Sequence, residues 1–423
     1  GDPGRVDTVR CSKDFPRMPP GVNQPFTPPG HCGVVTETSS ARCGSRRCPR
    51  GQADRAGRGA AASLPLPLSL VIVAALMLSS CAVNERIPPE TNTTTSSGHS
   101  RLSGTLTGIG ASSQDVAQQT WIAGFQGAQP GVTINYSPEG SGAGRESFLA
   151  GGADFAGSDR PLRVAEMATG AFGRCVPGTT PFNLPVYISP IAVVFNVEGI
   201  DVLDLTPETL AGVFAGRITS WDDAAIRATN PDVDLPHLPI TAVHRADRSG
   251  TTGNFTEFLH AAAGDEWPAE PSDTWPFTHG EATTQTQGVV AAVSSGVGTI
   301  GYLDASQATR LATVRIGSGG SFHPPTAAAA ASLVEHSPTE PGRASGDVAI
   351  ALDHSVEGYP VVLVSYLIVC SEYADSGVAS LVRSFAEFVI SGEGQLSAQE
   401  RAGSAPMTPA LRQRVLEAIA TVR

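Results

Sequence analysis

At 423 residues the chain has room for about two or three domains of ordinary size and a sizeable core. Only 16% of its residues are charged, and it carries 46 Gly and 33 Pro, which excludes a coiled coil and a basic nucleic-acid binder. A net charge of −12 also disfavours any polyanionic partner, whether nucleic acid or a bulk anionic membrane surface, although a local positive site can still hold a small anion.

Lys13 is the only lysine, so from Cys81 onward every permanently positive side chain is Arg. That excludes a Walker-type Lys and a lysine Schiff base there, and with them P-loop NTPases and pyridoxal enzymes. Residues 1–45 show no hydrophobic periodicity and are expected to lie upstream of the true translation start. Cys11, Cys32, Cys43 and Cys48 are spaced too widely for a CxxC pairing, and no zinc site is expected from them. Arg46, Arg47, Arg50, Arg55 and Arg58 precede an apolar run over residues 68–78. This run is too short for the roughly 20 residues of a membrane span and reads as a secretory signal. It ends in Leu78-Ser79-Ser80-Cys81, which resembles a bacterial lipobox. Residues 1–80 are thus expected to be removed and Cys81 lipidated; the alternative is an ordinary signal peptide with a chance Cys. Residues 81–103, rich in Thr, Ser and Pro, have almost nothing apolar to bury and read as a flexible tether. Fully extended, it would reach on the order of 70 Å from the bilayer.

Beyond the tether the pattern predicts a strand over 105–108, a helix over 114–125, a strand over 132–136, a helix containing 145–149 and a strand over 153–156. Such βαβαβ alternation argues for an α/β sheet with ligands held beyond the carboxyl ends of its strands. A long apolar stretch over 184–197, interrupted at Ser189-Pro190, reads as a buried strand passing to a second lobe. Thr206-Pro207-Glu208 is a helix start. A strand is expected over 240–243, followed by a helix bearing Phe255, Phe258 and Leu259 on one face, a helical turn over 288–293 and a strand over 299–303. A second long buried strand over 359–370 leads to closing helices over 378–390 and 409–422. The two long strands would carry the chain out of one lobe and back, giving a hinged, two-lobed α/β molecule with lobes at 104–186 with 362–423 and at 187–361.

Three strand-to-helix loops have the chemistry of anion capture. Gly108-Ile109-Gly110-Ala111-Ser112-Ser113 and Gly140-Ser141-Gly142-Ala143-Gly144-Arg145 offer backbone amides at a helix start together with Ser hydroxyls. Arg245-Ala246-Asp247-Arg248-Ser249-Gly250-Thr251 adds a guanidinium able to fork to two anion oxygens and an Asp to hold it in place. Each loop alone is also what a capped helix or a surface ion pair looks like. Asp159, at a strand end, is misplaced beside an anion unless the anion carries a proton to donate, as phosphate does; otherwise it would cap a helix beginning near Pro161.

These segments, with Ile218-Thr219-Ser220-Trp221-Asp222-Asp223, Asn230-Pro231 and Gly296-Val297-Gly298-Thr299-Ile300-Gly301-Tyr302, resemble the phosphate-binding proteins (PstS type) of bacterial phosphate ABC transporters. The resemblance runs in order from about residue 104 to 423. It implies a two-lobed periplasmic-binding-protein fold (type II) with two hinge crossings, phosphate in the cleft, permease and ATPase subunits as partners, no cofactor and no catalysis. It implies Ser112, the Ser113 amide, Ser141 and Asp159 as phosphate contacts from the first lobe. Arg245, Ser249, Gly250 and Thr251 follow from the second, with Asp247 orienting Arg245. The chain departs from the family where Thr-Phe is frequent and Ser112-Ser113 stands, which removes the Phe packing. Arg248 falls at a variable position and is expected to steer anions rather than touch them.

Three other functions compete. A phosphatase or serine hydrolase would need a base beside its Ser, yet there is no GxSxG elbow and no HExxH pair, and His244 has no motif around it. A sulfate or molybdate binder is the closer rival, with Asp159 against it; a surface adhesin or sensor would also suit the tether. Cys175 and Cys370, the cysteines left once Cys81 is lipidated, each adjoin a long strand and are expected to form a disulfide, the alternative being two buried thiols. The expected product is an exported monomer, held to the outer face of the cytoplasmic membrane by its lipid alone.

Overall fold

The computed structural model describes residues 102–168, 170 and 172–423. Cys81 with its preceding apolar run, the tether up to Arg101, and Cys11, Cys32, Cys43 and Cys48 lie outside the described residues.

The first unit is β1 (Gly104–Gly110), α1 (Asp115–Ala128), β2 (Val132–Ser137), α2 (Ser141–Ala150) and β3 (Phe155–Ser158). β1 is central and parallel to both neighbours, with Leu106 opposite Ile134 and Gly110 opposite Gly157. Trp121 and Phe125 of α1 and Phe148 of α2 are buried in the core, as a parallel sheet covered by helices requires. A short α3 (Val164–Met167) follows.

β4 (Pro181–Asn196) is buried along all but its last residue. It is then followed by β5 (Val202–Leu205), α4 (Pro207–Phe214) and α5 (Ala224–Thr229). At α4 the Thr206 hydroxyl accepts from the Thr209 amide at 3.1 Å and Pro207 sets the first turn. The second unit comprises β6 (Thr241–Arg245), α6 (Gly250–Ala262), β7 (Glu281–Thr283), α7 (Gln285–Ser295) and β8 (Thr299–Asp304). Here β6 is parallel to both β7 and β8. The local strand order, β7-β6-β8, therefore repeats the β2-β1-β3 order of the first unit. The remainder is β9 (Ala312–Ser318), β10 (Ser321–His323), α8 (Ala327–His336), β11 (Val362–Cys370), α9 (Ser376–Ile390), α10 (Gly392–Ala402) and α11 (Pro409–Ala420).

β4 joins the two lobes. Its residues from Pro181 to Pro190 pair antiparallel with β11, and those from Ile191 to Asn196 with β8. The break expected at Ser189-Pro190 is absent. Pro190 lacks a backbone donor but sits where β4 changes partner, so the ladder loses little there, and the Ile191 amide already bonds Val361 O at 2.8 Å. Cys175 and Cys370 form a disulfide, S–S 2.04 Å, tying the loop before β4 to the end of β11. No helix among the described residues is long and apolar enough to cross a membrane.

Candidate anion-binding site

Loops at the carboxyl ends of β1, β2, β3, β6 and β7 meet between the lobes. Ser112, Ser113, Ser141, Asp159, Arg245, Ser249 and Thr251 are each no more than 5% exposed, and Gly250 is buried. The structure thus brings together every residue that the resemblance nominated. Asn254 Nδ2 donates to Asp159 O at 2.7 Å and the Gly142 amide to Arg248 O at 2.8 Å, so the lobes are in contact here. Gly250 is required by this approach, because a Cβ on it would lie 2.7 Å from Asp159 Cβ and 2.7 Å from Ser141 Oγ.

The hydrogen bonds sort the hydroxyls by where their protons go. Ser113 and Ser365 both donate to Asp159 Oδ1 at 2.6 Å, and Thr251 donates to Oδ2 at 2.9 Å. Ser141 Oγ instead accepts from the Asp159 amide at 3.1 Å, and Ser249 Oγ from the Thr252 amide at 3.3 Å, which leaves their own protons for another acceptor. The Ser113 side chain binds Asp159 rather than merely replacing a Phe, and the Thr251 hydroxyl is spent on Asp159, leaving its backbone amide for an anion.

Arg245 is held by Asp247 through two bonds, Nε to Oδ1 at 2.8 Å and Nη2 to Oδ2. A guanidinium has five N–H groups, so the Nη1–Nη2 edge keeps the fork geometry that suits two oxygens of one anion. Burial works to raise the Asp247 carboxyl, but the hydrogen bond and charge of Arg245 and the Gln285 amide hold it below the usual carboxylate range. The ends of α2, α6 and α7 that face this cluster are all amino-terminal, adding unpaired amides and the positive end of each helix dipole.

A second ionic cluster borders the site. Asp273 accepts from Arg145 Nη2 at 2.5 Å, Arg160 Nη2 at 3.2 Å and Arg248 Nη2 at 3.1 Å, with Arg248 also paired to Glu146. Arg248, expected to steer anions, is engaged in these ion pairs. Burial would raise Asp273, yet Arg145, Arg160 and Arg248 together keep it low. Burial and the neighbouring Arg160 bring Arg145 down to about 10.

Asp159 does not cap the next helix, since α3 begins only at Val164 with Arg163 as its cap. His244 is buried and stacked on Trp275, ring centroids 4.9 Å apart, with burial lowering its proton affinity. Sequence reasoning missed Ser365, Asn254, Gln285 and Thr286. Ser365 had one signal, a small hydroxyl side chain in a strand that is apolar apart from it and Tyr366 and is buried throughout.

Residues 95–393 match the family model of the PBP superfamily domain. The chain is 34% identical over 349 residues to phosphate-binding protein PstS 3 of Mycobacterium leprae, covering 77% of this chain and 90% of that one. Among solved structures it is similar to a high-affinity periplasmic phosphate-binding protein (PfluDING) bound with phosphate, at TM-score 0.61 and 24% identity over 74% of this chain and 93% of that one. It also matches a putative phosphate ABC transporter substrate-binding protein with bound phosphate from Clostridium perfringens, at TM-score 0.52 and 18% identity over 72% and 100% of the two chains. The repeated βαβαβ units joined by β4 and β11 are the two-lobed architecture of these structures, and the chain belongs to the PstS-type phosphate-binding proteins of the PBP superfamily.

Proposed function

We propose that this protein binds inorganic phosphate between its lobes and delivers it to the permease of a phosphate ABC transporter, acting as a binding protein and not as an enzyme. The observation that carries this reading is Asp159, an acceptor carboxylate buried among donors. Near neutral pH phosphate keeps at least one proton, which can be donated to Asp159, while its other oxygens accept. On this reading Arg245 forks to two oxygens, Ser112, Ser141 and Ser249 donate from their hydroxyls, and the amides of Ser113, Gly250 and Thr251 complete the shell. Burying a multiply charged anion is costly unless each oxygen is met by donors, and donors from both lobes answer that requirement. The lobes are assigned to residues 104–186 with 362–423 and to 187–361.

The relatives' names and the leader pattern ending at Cys81 support an exported protein, with Cys81 lipidated and residues 82–103 as the tether. Mass spectrometry of the membrane-extracted protein should find a diacylglyceryl-modified Cys81 at its amino terminus; an unmodified Cys81 would sink the anchor. Function is tested by titrating phosphate into protein stripped of it, with a phosphate-monoester hydrolysis assay in parallel. Binding at micromolar phosphate without turnover is expected. No binding at millimolar phosphate, or sustained hydrolysis, would overturn this reading.

A further inference from the structure

The two lobes share one topology, and it carries an inference that rests on the phosphate reading. In the first unit the loop after β2 supplies Ser141 at the start of α2; the same place in the second unit, after β7, holds Gln285 and Thr286 at the start of α7. No sequence pattern marks that loop, yet it reaches the site. The Thr286 amide donates to Ser112 Oγ at 3.1 Å, and Thr286 Oγ1 lies 3.0 Å from the same oxygen. Thr286 is 2% exposed. One residue earlier, the Gln285 amide donates to Asp247 Oδ1 at 3.0 Å, the oxygen that also holds Arg245 Nε.

Successive amides of one helical turn thus reach two side chains of the site, one in each lobe. Gln285 is the only non-glycine residue with positive φ among those described, at 61°. A backbone held in that region is costly and persists where the surroundings impose it, often at a functional site. Here it turns both amides toward the cleft.

We propose that Thr286 is a positioning residue for phosphate, acting through Ser112. A serine hydroxyl has two acceptor lone pairs and one proton. With the Thr286 amide and the Thr286 hydroxyl both donating to Ser112 Oγ, the lone pairs are filled and the single proton points to the anion. Ser112 becomes an obligate donor, and because it lies in one lobe and Thr286 in the other, this happens only on closure.

The test is a double-mutant cycle read by phosphate titration calorimetry on Thr286→Val, Thr286→Ser, Ser112→Ala and the Ser112→Ala/Thr286→Val pair. Thr286→Val keeps the shape and the amide and loses only the hydroxyl. It should weaken phosphate by about tenfold, the scale of one hydrogen bond linked to a charged ligand. Thr286→Ser should restore the affinity, and Thr286→Val should cost nothing further in the Ser112→Ala background, since contacting residues couple. Unchanged affinity in Thr286→Val, or the same loss in both backgrounds, would overturn the proposal while leaving wild-type phosphate binding intact. A wild-type protein that does not bind phosphate would overturn the phosphate reading, and this one with it.

Discussion

The Thr251 hydroxyl donates to Asp159 Oδ2 at 2.9 Å, joining the loop that opens α6 to the loop that follows β3. Ser113 and Ser365 fill Oδ1, so three of the roughly four acceptor positions of this carboxylate are occupied by the protein and one, on Oδ2, is left. Asp159 is therefore fixed in place, by hydroxyls from both lobes and from β11, with room for one more donor. Gln114, whose side chain donates to Ser365 Oγ at 2.6 Å, holds that serine from behind.

Arg245 is expected to matter by shape as well as by charge. Asp247 grips its Nε–Nη2 edge and leaves the other edge for the anion. Arg245→Ala should weaken phosphate and sulfate alike, by at least about a hundredfold, as for loss of one partner of a buried charged pair. Arg245→Lys, which keeps the charge and loses the fork, should still bind at least about tenfold more weakly than wild type. Calorimetry checks both, and a Lys variant of wild-type affinity would contradict the role given to the guanidinium plane.

Asp273 is expected to hold the closed lobes together. Removing its charge leaves Arg145 buried without its carboxylate, and Arg145 Nε already has no partner among the described residues. Asp273→Asn should cost on the order of 3 kcal/mol in urea unfolding. It should also enlarge the radius of gyration of the phosphate-bound protein in solution scattering, because Arg145 and Arg160 reach Asp273 from the other lobe. Unchanged values of both would remove the cluster from the account.

Much of this was legible in the sequence, for reasons that individual residues make plain. The β1, β2 and β6 loops announce themselves through Gly, Ser and Arg, because a close approach of backbones needs Gly250 and an anion needs N–H and O–H donors. The β7 loop gave no such signal. Glu281–Thr283 is a three-residue, mostly exposed strand, and Gly288 looked like a helix start although α7 begins three residues earlier, at Gln285, on a Thr284 that makes no side-chain cap. A positive φ at a glutamine cannot be read from composition. β5, β9, β10 and α8 were missed because they are short or partly exposed elements at the margin of the second lobe, where the apolar periodicity is weak. Ser365 was hidden by its neighbours, since an apolar strand reads as core whatever one hydroxyl within it does.

Asp304 is expected to make the stability of the fold depend on pH. It is buried at the end of β8, accepts from Tyr187 OH at 3.0 Å and the Ser306 amide at 2.9 Å, and has no partner for Oδ2 among the described residues. Burial pushes its carboxyl up to about 6, against an ordinary value of 3.8. Between those limits the native state keeps a proton that the unfolded state has released, so this group's contribution to stability falls as pH rises through the window and then stays level. Asp304→Asn should remove that slope and stabilise the protein above pH ~6 by about 3 kcal/mol. Urea unfolding from pH 4 to 7 checks this, and a variant whose slope matches wild type would show that Asp304 titrates normally.

On the phosphate reading, Asp159 tests the anion for a proton. Sulfate is fully ionised near neutral pH and offers the carboxylate only lone pairs, whereas bound phosphate would donate a proton to Oδ2. A buried polar site left unpaired in this way can reject the wrong ligand by about 10⁴-fold or more. The direct measurement is competitive calorimetry of phosphate against sulfate on wild type and Asp159→Asn. Wild type should prefer phosphate by that order, and the Asn variant should narrow the gap, because its amide can turn an N–H toward an unprotonated oxygen. Wild-type protein that binds sulfate as tightly as phosphate, or an Asp159→Asn protein that keeps the full preference, would contradict it.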